Sequence, residues 1–362
     1  MHIAQIAPLY ESVPPKLYGG TEQVVADLCD ALVAAGHEVT LFATADSHTR
    51  ARLVAVRDRG LRLDRKASRT SDLAAHLNML WEVKRQSRQF DILHFHTNLI
   101  HFPIFKQKAH QSVTTLHGRL DLKDLAPVYS HCSRFGLVSI SENQRAPLPQ
   151  AHWLATVRHG IPPELYTFCD HAGGGYLAFL GRLSPEKQPH VAIQVASRAG
   201  IPLKIAAKKP AADSQYFESV VKPLLSDPLV EYVGEIRHKA KSEFLGNALA
   251  LLFPIHWPEP FGLVMIEAMA CGTPVIAWKC GSVPEVVDDG ITGFVVTSEE
   301  EALEAIRRVV HLDRGRVRAT FERRFSSAAM ANAYLDVYSR LLSPHPLNTH
   351  PRRGPRPGPY AR

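Results

Sequence analysis

The residues with the clearest capacity for chemistry are two glutamates, Glu259 and Glu267, that lie eight positions apart. They follow the apolar run at 250–253, which is typical of a buried strand. Glu259 is therefore expected in a loop at the carboxyl end of a parallel strand, the edge at which open α/β sheets bind ligands. Glu267 falls in the second turn of the helix predicted to follow. One carboxylate can accept two hydroxyls of a ribose while the other accepts sugar hydroxyls.

The predicted helix begins near Gly262, and its first backbone amides are free donors at a positive helix end. These amides belong to Phe261, Gly262 and Leu263. Glycine also lets a ligand approach the backbone closely. Acidic acceptors beside a cluster of donors suit a ligand that is both anionic and polyhydroxylated. The alternative is a surface helix with ordinary carboxylates, but an unpaired Glu267 among its apolar neighbours would be costly to bury.

Cationic residues follow two other predicted strands. Arg182 comes two residues after the predicted strand at 176–180, and Lys187 comes five residues later. The planar fork of an arginine and the point charge of a lysine both suit a diphosphate. Lys208 ends a further strand at the same edge and is a weaker candidate for contact with a nucleotide, because a solvated lysine fits that position equally well.

Histidines and glycines mark the strand ends of the first half. His94 and His96 alternate along one strand and so face one side of it; metal binding would need further ligands at compatible spacing. His117 closes another strand. Gly19 and Gly20 open the first helix, predicted over 21–35 with Thr21 as its N-cap, and their amides are placed to meet a phosphate across a cleft.

Short apolar runs alternate with helical patterns over most of the chain, and this pattern predicts parallel sheets with helices on both faces. We divide the chain into an N-terminal domain at 1–165 and a C-terminal domain at 166–325, with the hinge near 161–175. A last amphipathic helix at 326–342 is predicted to return to the N-terminal domain. A Pro- and Arg-rich tail at 343–362 is predicted to be disordered.

The composition is that of a globular protein, with 45% hydrophobic and 21% charged residues in 362. Five widely spaced cysteines indicate reduced thiols and a cytoplasmic location. No apolar run is long enough to span a membrane, and no interleaving of basic and aromatic residues points to nucleic acid. The net charge of +7 falls mainly on the first 160 residues and the tail, which leaves peripheral contact with an anionic membrane open.

In this setting the pair Glu259 and Glu267 resembles the signature of the family 4 retaining glycosyltransferases, and the resemblance covers the chain to about residue 340. It implies the GT-B fold, in which two Rossmann-like, doubly wound parallel-sheet domains face a central cleft. It also implies that Glu267 binds the ribose hydroxyls. Glu259 and the amides of residues 261–263 would hold the transferred sugar, with Glu259 and His117 as the catalytic residues.

The other motifs match the family less uniformly. Arg182 and Lys187 fit its diphosphate-binding pattern, although Gln188 stands where the family usually has glycine. The resemblance extends to further positions by their place in the chain. It adds Gly19 and Gly20 as donor-binding residues, and His96, Gly281 and Ser282 as weaker candidates for the site.

The resemblance implies a retaining transferase that moves a hexosyl group from a nucleoside-diphosphate sugar to an acceptor. A UDP-sugar is the expected donor, with GDP and ADP left open, as are the acceptor and the oligomeric state. No metal or other cofactor is expected, because the chain has no Asp-x-Asp motif. A nucleotide-sugar 2-epimerase of the same architecture and a non-catalytic sugar-nucleotide-binding protein are the alternatives.

Overall fold

The computed structural model describes residues 1–343 except 17, 18, 65 and 237. The predicted disordered tail lies outside the described residues apart from Ser343. Two parallel sheets organise the chain, and each is built from strands that alternate with helices.

The first sheet has seven strands in the order β3-β2-β1-β4-β5-β6-β7, and every pairing in it is parallel. Its strands are β1 (His2–Ile6), β2 (Glu38–Thr44), β3 (Arg52–Arg57), β4 (Ile92–Phe95), β5 (Ser112–Thr115), β6 (Gly136–Ser139) and β7 (Trp153–Thr156).

The second sheet has six parallel strands in the order β10-β9-β8-β11-β12-β13. Its strands are β8 (Leu177–Arg182), β9 (Leu203–Lys208), β10 (Val230–Gly234), β11 (Ala250–Phe253), β12 (Val275–Trp278) and β13 (Gly293–Val296). In both sheets the strand order reverses beside the first strand, which creates the crevice where doubly wound sheets bind ligands.

The helices pack on both faces of the sheets. They are α1 (Gly20–Ala34), α2 (Arg69–Gln86), α3 (Phe102–Phe105), α4 (Leu125–His131), α5 (Pro189–Ala199), α6 (Ser214–Tyr216), α7 (Lys222–Leu224), α8 (His238–Gly246), α9 (Leu263–Ala270), α10 (Val283–Val286), α11 (Glu299–Val309), α12 (Arg314–Phe325) and α13 (Ser327–Leu342). None of these helices has both the length and the apolar character needed to cross a bilayer.

The predicted fold of two doubly wound parallel sheets is confirmed, with two local corrections. Strand β3 was not predicted, because it is an edge strand whose side chains are half-buried or exposed and whose ends are arginines. Thr21 is not the N-cap of α1: the helix already begins at Gly20, and Gly19 is the N-cap.

The last helix, α13, packs against the first sheet although it follows the second in sequence. Its residues Met330, Tyr334 and Tyr338 belong to the hydrophobic cluster that contains β1 and α1. The chain enters α13 beside the linker, where Ile161 donates its amide to the Phe325 carbonyl at 2.9 Å. Two segments of chain therefore run side by side between the two sheets.

Candidate functional site

Glu259 lies in the loop between β11 and α9, at the carboxyl edge of the second sheet. Its carboxylate forms an ion pair with Lys187, and both side chains are largely buried. The Trp257 indole also donates to Glu259 Oε2 at 3.0 Å. Because a largely buried charge must be compensated, the lysine balances the charge of this carboxylate and the indole adds a hydrogen bond to it.

Helix α9 begins directly after this loop. Gly262 is its N-cap with φ +82°, a left-handed conformation that favours glycine. Within the described residues, the amides of Phe261, Gly262 and Leu263 have no hydrogen-bond acceptor. The predicted cluster of free donors at a helix N-terminus is therefore present beside Glu259.

Glu267 lies on the buried side of α9 and has two partners. Lys241 Nζ is 2.7 Å from its Oε1, and the Tyr166 hydroxyl donates to the same oxygen at 3.0 Å. These contacts leave Oε2 for a ligand. Sequence reasoning missed both partners, and their residue types carry no motif of their own.

Arg182 and Lys208 end neighbouring strands, where they are register partners in the β8–β9 pair. The Arg182 guanidinium donates to Glu186 at 2.7 Å, while its Nε is buried without a partner among the described residues. With Lys187, three cations thus lie at or just beyond the carboxyl edge of the second sheet. This arrangement suits an anion better than any neutral ligand.

Gly281 and Ser282 contact the backbone of the Glu259 loop. Gly281 has φ +57°, and a Cβ there would clash with the backbone of Glu259. The Ser282 amide donates to the Glu259 carbonyl at 3.0 Å, and its hydroxyl donates to the Phe261 carbonyl at 2.7 Å. Both residues therefore shape the loop through its backbone.

Gly19 and Gly20 bring the first helix to the same place from the other domain. A Cβ on Gly20 would lie 3.6 Å from Leu263, so the N-termini of α1 and α9 meet across the cleft. The buried Glu22 carboxylate lies in the first turn of α1, and burial raises its pKa. Its position therefore places a carboxylate at the same helix N-terminus at which the sequence predicts a phosphate.

His117 lies at the end of β5 and is hydrogen bonded to His96, with 2.8 Å between His117 Nε2 and His96 Nδ1. His96 Nε2 in turn lies 2.8 Å from Gln5 Oε1, and Gln5 donates its amide group to Tyr338. The Gln5 oxygen requires a proton on His96 Nε2, so a neutral His96 accepts at Nδ1 from His117. His117 Nδ1 is then an acceptor, and it is buried without a partner among the described residues.

Burial keeps these rings neutral. Desolvation lowers the pKa of His117 to about 3 and holds those of His94, His96 and His159 well below the usual value. His94 and His96 do face one side of their strand, as predicted, with ring centroids 4.1 Å apart.

His159, in the linker after β7, was not predicted. Its ring stacks on His117 with centroids 5.3 Å apart, and it meets Phe261 edge to face at 4.9 Å. Ring contacts therefore connect His117, at the first sheet, with the Glu259 loop of the second sheet through His159 and Phe261. A histidine preceding a glycine in a linker gives no signal of this role in a single sequence.

Two family models match the chain. The Glycosyltransferase Family 4 model matches residues 18–157, and the Glycosyl transferases group 1 model matches residues 172–328. Together they cover both sheets, and the chain belongs to the family 4, group 1 glycosyltransferases of GT-B fold.

Individual relatives agree with this assignment. The D-inositol 3-phosphate glycosyltransferase of Mycobacterium tuberculosis (strain H37Rv) is 31% identical over 198 residues, which are 49% of this chain and 40% of that protein. The chain therefore matches less than half the length of this curated relative.

Solved structures share the fold. AviGT4, a glycosyltransferase of avilamycin A biosynthesis, is 24% identical with a TM-score of 0.71, and the match covers 94% of this chain and 98% of that one. The Anabaena protein Alr3699/HepE, solved in complex with UDP and glucose, is 18% identical with a TM-score of 0.73 over 94% of this chain and all of that one.

Proposed function

We propose that the protein transfers a hexosyl group from a nucleoside-diphosphate sugar, a UDP-sugar in the first instance, to an acceptor with retention of anomeric configuration. The observation that carries the proposal is the pairing of Glu259 with Lys187 beside the free amides of α9. A carboxylate, a cation and helix-end donors stand together there in the arrangement that an anionic sugar ligand requires.

Binding of the donor changes the ion-pair partners of Lys187 and Arg182. The diphosphate takes Lys187 and Arg182, since both cations gain more from a doubly charged group than from a single carboxylate. Glu259, released from Lys187, then accepts hydroxyls of the transferred sugar while the amides of residues 261–263 donate to it. Glu267 binds the ribose hydroxyls through Oε2, with Lys241 and Tyr166 holding its other oxygen.

Charge on the leaving diphosphate grows as the glycosidic bond breaks. Lys187, Arg182 and the α9 amides are fixed before the reaction and stabilise that charge, the kind of electrostatic term that usually dominates catalysis. These groups supply the role that a metal plays in other transferases, so the proposed reaction needs none.

The proton of the attacking hydroxyl goes to the departing phosphate on the same face of the sugar, which gives retention. His117 Nδ1 accepts a hydrogen bond from a hydroxyl of the transferred sugar and stays neutral throughout. Its low pKa fits this task, because a protonated ring would repel the positive charge that develops on the sugar.

The test is a transfer assay in excess EDTA with UDP-, GDP- and ADP-glucose and a pooled panel of hydroxyl acceptors. We expect release of UDP from UDP-glucose that depends on an acceptor, and an α-linked product by NMR from the α-linked donor. Conversion of the donor without an acceptor would favour an epimerase or hydrolase. Binding without turnover would favour a sensor, and activity that returns only with Mn²⁺ or Mg²⁺ would refute the metal-independent mechanism.

A further inference from the structure

A buried glutamine holds the loop that carries His117. The Gln144 amide group donates to the carbonyls of Leu116 and Gly118, each at 2.8 Å, and its oxygen accepts the Ile140 amide at 2.9 Å. The two carbonyls flank His117 on either side. The side chain is 5% exposed, and its bonds to Leu116 and Ile140 are buried, so Gln144 fixes the backbone on which His117 stands.

The turn that carries Gln144 is itself held from the other domain. Glu285 lies in α10, a helix of the C-terminal domain. Its two carboxylate oxygens accept the amides of Glu142 and Asn143, both at 2.8 Å. Arg158 in the linker stands 3.7 Å from the same carboxylate. One charged side chain thus satisfies two backbone donors across the cleft, and hydrogen bonds of this charge-assisted kind are among the stronger ones in proteins.

The base of Glu285 is tied to the donor-side loop. Its amide donates to the Ser282 carbonyl at 2.9 Å, and Ser282 holds the carbonyls of Glu259 and Phe261 through its own amide and hydroxyl. Consecutive hydrogen bonds through Ser282, Glu285 and Gln144 therefore connect the Glu259 loop to the backbone around His117.

We propose that Glu285 and Gln144 are positioning residues that set His117 against the donor sugar when the two domains are closed. The proposal rests on the proposed function, because it assigns their purpose to sugar transfer. Neither side chain needs to touch the substrate. The Glu285 bonds exist only while the two domains are together, so the cross-domain contact steadies the His117 loop when the donor site is covered.

This coupling has a kinetic signature. A misplacement of about 1 Å at a reacting centre costs on the order of 100-fold in rate, whereas the side chains that we propose bind UDP, those of Lys187, Arg182 and Glu267, all belong to the second sheet's side of the cleft. Loss of the Glu285 carboxylate should therefore lower kcat by on the order of 100-fold and leave UDP affinity unchanged. Glu285→Gln keeps one acceptor oxygen of the two and should fall between the wild type and Glu285→Ala.

The experiment measures kcat, UDP affinity by calorimetry, and hydrogen exchange at residues 116–120 for Glu285→Ala and Glu285→Gln. Glu142→Ala is the matched control, because it removes a neighbouring exposed carboxylate but keeps the amide that Glu285 binds. We expect faster exchange at residues 116–120 in Glu285→Ala and wild-type behaviour in the control.

A second variant tests the path itself. Gln144→Glu keeps the side-chain shape but replaces the donor that faces two carbonyls. If the residues act in series, the double variant Glu285→Ala/Gln144→Glu should lose no more kcat than the more damaging single variant.

The results separate the possibilities. An unchanged kcat and unchanged exchange in Glu285→Ala, with an active wild type, would overturn the proposal, as would equal losses of kcat and UDP affinity. An inactive wild type would count against the proposed function alone, and faster exchange at residues 116–120 would then still support the positioning role.

Discussion

The two sides of the cleft are built from different chemistry. The second sheet presents charged groups in pairs, with Lys187 on Glu259 and Lys241 on Glu267. The first sheet presents neutral rings, in which His94, His96 and His117 are linked through hydrogen bonds to Gln5, Tyr334, Tyr338 and Thr115. The second sheet therefore carries ion pairs whose partners can change, whereas the histidine rings of the first sheet stay neutral.

The difference separates two tasks. Paired charges are stable without a ligand, and the diphosphate that we propose can still take the lysine from its carboxylate, since the lysine only changes one anion for another. Buried neutral rings cannot change charge cheaply, so their hydrogen-bond directions stay fixed while the reaction proceeds. We therefore expect variants of Lys187 and Glu267 to affect the nucleotide and its departure, and variants of His117 to affect the transferred sugar.

The largest effect is expected for Lys187→Ala. It removes a cation from the leaving diphosphate and leaves Glu259 without its ion pair, so kcat should fall by about 10²–10³-fold. Lys222→Ala is the control, because Lys222 forms an exposed ion pair with Glu218 on the surface and should leave kcat intact. Steady-state kinetics with saturating UDP-glucose would measure this, and a kcat within error of the wild type would remove Lys187 from the site.

Glu267→Ala should weaken UDP binding by ~2–4 kcal/mol, because two ribose hydrogen bonds to a charged acceptor are lost. The loss should be smaller for 2′-deoxy-UDP, which lacks one of the two hydroxyls. Calorimetry with both nucleotides gives the comparison. Equal affinities of wild type and variant for UDP would show that Glu267 is not the ribose acceptor.

His117→Ala should lower kcat by about 10²-fold with little change in UDP affinity. His117→Asn should retain more activity than His117→Gln, because an asparagine oxygen falls near the position of Nδ1, the unpartnered acceptor, whereas glutamine reaches toward Nε2. Parallel kinetics of the three variants test the deduced tautomer. A more active His117→Gln would place the functional nitrogen at Nε2 instead.

The smallest effect, over the range from pH 7 to pH 5, concerns acid stability. The folded-state pKa of His117 is lowered to about 3 from 6.5, so the unfolded chain binds more protons between these values. The stability that its neutral form contributes is complete above pH 6.5 and is lost as pH falls toward 3, with a slope of up to ~1.4 kcal/mol per pH unit.

Thermal unfolding at pH 7, 6 and 5 would detect this loss. His117→Asn should show a shallower decline in Tm than the wild type, while a substitution of the exposed His110 should follow the wild-type curve. Identical slopes for His117→Asn and the wild type would mean that His117 is not buried as a neutral ring.

Strand ends and motif positions could be predicted from the sequence because they depend on local patterns. The alternating apolar runs predict both sheets except the edge strand β3, and the spacing of Glu259 and Glu267 predicts the donor side. What pairs with these residues could not be predicted. Lys241 and Tyr166 reach Glu267 from 26 and 101 positions away, and only the fold brings them together.

The same limit applies to the first sheet. The sequence indicated that His94 and His96 share a face, but the hydrogen-bond partner of His94, Tyr338, lies 244 positions beyond it. The roles of His159 and Glu285 depend on how the two domains meet, which no local pattern records.

The most direct test of the charged side of the cleft is a crystal structure with UDP bound. We predict the ribose hydroxyls on Glu267, the diphosphate against Lys187 and Arg182, and Lys187 released from Glu259. UDP bound elsewhere, or a Lys187–Glu259 pair unchanged beside bound UDP, would contradict the assignment of the donor site.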